Sequence, residues 1–141
     1  MERISWFKIG KKVYPLCLSI GARKRLEEQY ESVTEFLQAC SDNDRVQEAY
    51  MYGLETLIMY GCKRLNYLDE GTMIQDGSMD EQGNWIPIGR EDLETMICHG
   101  QFPEIEAKIL ETINKAAAKE IKAEPTADTR KKASATSEVT A

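Results

Sequence analysis

The sequence predicts a small, mainly α-helical domain with a short N-terminal β-hairpin and four to five helices. Three observations predict it. Period-two alternation is confined to the opening segment, apolar stripes at helical spacing follow, and the C-terminal stretch is polar and poor in large aliphatics. The domain would span residues 1–122 with a long acidic loop over 66–85, and a disordered tail would occupy 123–141.

In the opening segment Ile4 and Trp6 alternate with polar neighbours. Gly10-Lys11 suits a tight turn because glycine reaches positive φ, and Tyr14, Leu16, Leu18 and Ile20 share one face on the return. Pro15 has no N–H for a ladder, which places this strand at an edge. Ser19 or Gly21 then caps a helix with Ala22, Leu26 and Tyr30 along one side. Ser32-x-x-Glu35 has capping-box spacing ahead of the stripe Val33, Phe36, Leu37 and Cys40. "SDND" at Ser41 to Asp44 is turn chemistry, and it leads into the longest helix, Arg45 to Leu65. At 100° per residue Tyr50, Met51, Leu54, Leu57, Ile58, Gly61 and Leu65 gather on one broad face, which makes it the central core helix.

From Asn66 to Trp85 periodicity vanishes, and a long mobile loop is expected. The run from Asp76 has a faint EF-hand look, but Pro87 stands at the twelfth position where a bidentate Glu is required. Order resumes with a short helix from Arg90 to Cys98 presenting Leu93, Met96 and Ile97, ended by Gly100. Pro103 suits the first turn of a last helix striped by Ile105, Ile109, Leu110, Ile113, Ala116 and Ala117. Beyond Lys122, Val139 is the only large aliphatic, too little to offset ordering entropy.

The formal net charge of −6 argues against a chain whose task is gripping nucleic acid or an anionic membrane. The charge is uneven. Met1 to Arg25 holds seven Lys/Arg against one Glu, whereas Asn66 to Thr95 holds one Arg against eight Asp/Glu. Such polarity favours docking to other proteins or to copies of itself. No apolar leader and no run of eighteen apolar residues occurs, so a soluble, unexported protein is expected, with no membrane partner.

Candidate chemistry is sparse. Cys17, Cys40, Cys62 and Cys98 are far apart without a C-x-x-C pair, as reduced, partly buried thiols would be; no metal site or cofactor is expected. His99 follows Cys98 directly, and neighbouring helical residues diverge by about 100°, which does not align a nucleophile with a base. No phosphate loop or hydrolase motif is present, so catalysis is not expected. One feature exceeds a simple amphipathic pattern. The face of the long helix opposite the core carries Arg45, Glu48, Thr56 and Lys63, yet Tyr52 and Met59 sit in its middle. Either a second layer covers them or they meet a partner.

The stretch "FKIGKKVYPLCLSIGARKRLEEQYESVTEFLQA" resembles the opening of tail assembly chaperones from long-tailed, siphovirus-like phages and prophages of Gram-positive bacteria. The matching pieces are Gly10 to Leu16 and Leu26 to Ser32, and "YGLETLIMYG" is similar to the family's central helix. The resemblance implies a non-enzymatic protein of the host bacterial cytoplasm, absent from the mature virion. It would bind the tape measure protein, keep it soluble and recruit tail tube protein, and in this family a ribosomal frameshift often appends a second domain at the tail. Tyr52 and Met59 would supply apolar partner contacts, with Arg23 and Lys24 adding salt-sensitive attraction to acidic segments. A possible homo-oligomer follows from the charge polarity. The alternatives are a helical nucleic-acid-associated regulator using Arg23, Lys24 and Arg25, or another phage structural or adaptor protein.

Overall fold

The computed structural model describes residues 3–68 and 74–118. Strands β1 (Ser5–Ile9) and β2 (Lys12–Leu16) pair antiparallel with Phe7 opposite Tyr14. Gly10 closes the turn between them at φ 63°, where a side chain would be strained. Among the described residues five α-helices follow: α1 (Ile20–Tyr30), α2 (Val33–Cys40), α3 (Val46–Leu68), α4 (Arg90–Met96) and α5 (Phe102–Ala117), with a 3₁₀ turn at His99–Gln101. The expected fold class is therefore the observed one. Residues 69–73 and the expected tail 123–141 lie outside the described residues.

Local chemistry starts the helices where the sequence marks them. Ser19 Oγ accepts from the Ala22 amide at 3.3 Å, and Ser32 Oγ accepts from the Glu35 amide at 3.0 Å. Pro103 sits in the first turn of α5, where no amide donor is needed. At the other end of α5, Arg3 Nη1 donates to the carbonyls of Lys115 (2.9 Å) and Ala116 (3.1 Å), and Lys115 Nζ donates to the Ile4 carbonyl at 2.9 Å. Arg3 satisfies open carbonyls at the negative end of the helix, and together with the Lys115 bond to Ile4 it fastens the last helix to the segment that leads into the hairpin.

The core is organised around α3. Leu54, Leu57 and Ile58 are fully buried, each contributing about 1.5–3 kcal/mol of hydrophobic stabilisation. β2 lies directly on this helix. The Cys17 amide donates to the Leu57 carbonyl at 3.1 Å, and a Cβ at Gly61 would run into the Pro15 carbonyl. α1 runs antiparallel to α3, since Tyr60 packs on Gly21 while the Tyr52 hydroxyl bonds the Arg25 carbonyl further along. Beside α1, Phe36 of α2 fills the space above Gly53 and packs on Tyr30, with ring centroids 5.4 Å apart.

Several expectations are corrected. In β1 the core takes Phe7 and Ile9, whereas Trp6 is half-buried against Trp85, with ring centroids 5.5 Å apart. The strand alternates in the phase opposite to the one expected from Trp6: Ser5, Phe7 and Ile9 are buried, while Lys8 on the Trp6 side is exposed. Ile20 is not on a strand face; it opens α1 and is 74% exposed. Thr56, placed by periodicity on the solvated side of α3, is fully buried because α1 covers it, and Arg25 Nε donates to its Oγ1 at 3.1 Å. The short helix stops at Met96 rather than Cys98, and Leu110 stays 41% exposed while Thr112 is buried.

The stretch expected as a mobile loop is tied down over its described part. Asn66 Nδ2 donates to the Trp85 carbonyl (3.1 Å), and the Trp85 amide donates to Asn66 Oδ1 (2.7 Å). Val13 forms a parallel bridge with Gly77, and Asp80 Oδ1 accepts from the amides of Gln82 and Asn84, both at 2.9 Å. Residues 74–88 thus make a hook whose anchor is the buried Trp85.

Gly61→Ala tests the helix–strand seat. Its methyl has no room against the Pro15 backbone, so urea unfolding should show a loss of about 3 kcal/mol. Gly100→Ala, with nothing within reach of the new methyl, should stay within about 0.5 kcal/mol.

Candidate functional site

Tyr52 is half-buried and fully engaged inside the fold. Its hydroxyl donates to the Arg25 carbonyl at 3.1 Å, and its ring packs edge-on to Tyr30 at 5.9 Å. The Arg25 guanidinium lies 5.2 Å from the ring centroid and that of Arg90 5.9 Å, each a cation–π contact of about 0.5–2 kcal/mol. The covering layer that Tyr52 required is thus supplied by α1 and by the first residue of α4.

Arg90 joins the helices. It pairs with Glu55 at 2.9 Å, Glu48 at 3.2 Å and Glu94 at 3.6 Å, while Arg25 reaches Glu55 at 3.9 Å. Burial alone would lower the Arg90 pKa, but its hydrogen bond to Glu48 and the Glu55 carboxylate outweigh it, and the net direction is up. In the sequence Arg90 is legible only as a helix start. A lone Arg amid eight acidic residues was the available signal for an ion-pair hub.

Met59, the second candidate, is half-buried one heptad further along α3. Beside it Lys63 Nζ sits 5.0 Å from the Tyr60 ring centroid, and Tyr67 is 89% exposed. Arg23 and Lys24 are both exposed on α1; Arg23 pairs with Glu27 at 3.2 Å, and Lys24 borders a shallow depression with Gly21, Arg25, Glu28 and Tyr60. The four candidates therefore divide. Tyr52 works beneath the surface, whereas Met59, Arg23 and Lys24 present side-chain surface on the α1–α3 side.

Two further concavities escaped sequence reading because separate segments build them. A groove of about 500 Å³ lies between the hairpin turn, the hook and α4, lined by Ile9, Tyr14, Met79, Ile86 and Met96 with Lys11 and Asp92 at its edges. A second, about 290 Å³, is lined by Glu48, Met51, Glu94, Cys98, His99 and Phe102. His99 is exposed with its ring 4.8 Å from that of Phe102, and no group of three or more His, Cys, Asp or Glu that could hold a metal exists among the described residues.

Compared with known protein families, characterised proteins and solved structures, the chain matches none. No helix among the described residues is long and apolar enough to cross a membrane.

Two measurements check this description. Tyr52→Phe removes the bond to the Arg25 carbonyl and should cost about 1 kcal/mol in urea unfolding while leaving the helical spectrum unchanged. Burial, with Glu106 adding for Cys40, pushes the thiols of Cys40 and Cys62 from an ordinary 9.0 up to about 12. The stability that comes from keeping them protonated is fully present below about 9 and is lost as pH rises towards about 12. Urea midpoints should fall across that window, and less steeply in a Cys40→Ala, Cys62→Ala chain.

Proposed function

We propose that the chain is a tail assembly chaperone of the kind made by long-tailed phages and prophages. It binds the tape measure protein in the host bacterial cytoplasm, keeps it soluble, recruits tail tube subunits and leaves before the virion is complete. The observation that carries this reading is the likeness of Gly10 to Leu16, Leu26 to Ser32 and Tyr52 to Gly61 to that family. These pieces are spatial neighbours: the Pro15 backbone faces Gly61, and Tyr30 packs against Tyr52. A motif shared across a scaffold is expected to hold that scaffold together, and the contacts among these pieces are of that kind.

The reading calls for surfaces rather than for a reaction centre. A long, aggregation-prone partner needs accessible apolar contacts on a body that stays in solution, and a net charge of −6 serves solubility. Met59 supplies part of such a contact; Arg23 and Lys24 add a salt-sensitive attraction to acidic partner segments, with Tyr52 holding the layer beneath.

Co-expression with the tape measure protein tests the reading. The partner should be recovered soluble and bound to the chain, and Met59→Ala with Lys24→Ala should weaken the complex about tenfold at an unchanged melting temperature. A tape measure protein equally soluble with and without the chain, and not bound by it, overturns the proposal.

A further inference from the structure

The segment 87–101 runs between two fixed points. Before it, the Ile86 amide donates to the Ser78 carbonyl at 2.8 Å and Ser78 Oγ donates to the Ile86 carbonyl at 2.6 Å, beside the buried Trp85. After it, the Phe102 ring packs edge-on to Tyr50 at 5.0 Å, and Ile105 is fully buried. What lies between bonds mostly to itself. The Leu93 amide donates to the Gly89 carbonyl, the Ile97 amide to the Leu93 carbonyl, and the Thr95 hydroxyl to the Glu91 carbonyl. Gly89, at the N-cap of α4, brings no side-chain acceptor, and Leu93 is the one buried residue of the helix.

Among the described residues, the hydrogen bonds and ion pairs that tie this segment to α3 all start from Arg90. Glu48 and Glu55 stand about two turns apart on α3, and one guanidinium reaches both while lying over Tyr52 between them. α4 is thus seated by Leu93, by the partly covered Met96 against Gly10, and by a single cation. The helix is also a wall between two concavities. Asp92, Thr95 and Met96 line the groove of about 500 Å³, whereas Glu94, Ile97 and Cys98 line the depression of about 290 Å³.

We infer that α4 is a latch, which lifts from α3 as a unit while the hairpin and the other helices stay folded. Arg90 is its catch. A segment whose backbone bonds are internal can open without breaking those of its neighbours, which is the condition for local rather than global unfolding. Lifting α4 joins the two concavities and uncovers the seat of Leu93 on the core. Apolar surface is therefore covered in the closed form and displayed in the open one. The inference stands apart from the chaperone reading, since it is measured on the purified chain alone.

Native-state hydrogen exchange of the full chain tests it. The amides of Leu93 and Ile97 should exchange at least about 100-fold faster than those of Leu54 and Leu57 in α3. Low urea should accelerate the α3 amides and hardly move Leu93 and Ile97, because lifting a 7-residue helix exposes far less surface than global unfolding. Arg90→Met removes the catch and should speed exchange at Leu93 and Ile97 about tenfold. Arg90→Lys should fall in between, because an ammonium keeps the charge but not the planar fork. Arg45→Met, which removes an exposed pair with Asp42, should leave both amides within about twofold. Leu93 and Ile97 amides that exchange at the rate and with the urea dependence of Leu57 overturn the latch. Exchange unchanged by Arg90→Met, or raised equally by Arg45→Met, overturns the catch.

Discussion

The hydrogen bond from the Cys17 amide to the Leu57 carbonyl is the contact on which the remaining architecture depends. A strand rarely approaches a helix closely enough for backbone to meet backbone, because side chains normally hold them apart. Here Gly61, one turn beyond Leu57, offers no side chain, and the Pro15 carbonyl occupies its place. With β2 seated, the hairpin cannot slide along α3, and α1, starting three residues after Cys17, must run back antiparallel to that helix. Gly21 then meets Tyr60, Arg25 meets Thr56, and Tyr30 meets Tyr52. The hook follows from the same placement, since Val13 on the outer edge of β2 bonds Asp76 and Ser78 and so covers an edge that would otherwise stand open.

α4 shows why polar contacts matter beside this core. Among its seven residues only Leu93 is buried, and a helix of that length does not persist on its own propensity. Isolated surface ion pairs contribute little, but Arg90 is only 28% exposed at its side chain, holds carboxylates from α3 and stacks over Tyr52. That combination fixes the N-terminal end of α4 while Leu93 fixes its middle.

Much of the fold was legible in the sequence, for identifiable reasons. Gly10, Ser19, Ser32 and Pro103 act through nearest neighbours, and local chemistry of that range can be read without coordinates. The core face of α3 was legible because it repeats over many turns. Thr56 was misplaced because periodicity assigns faces but does not say how many of them are covered. The loop was legible as a stretch without periodicity, but its anchoring was not, because that comes from a buried tryptophan and one asparagine nineteen positions away, neither of which leaves a periodic trace. Of the candidate surface, Met59 was visible as an apolar residue out of place. The partnership of Lys63 with Tyr60, and the packing of Tyr60 on Gly21, required knowing that α1 runs antiparallel to α3.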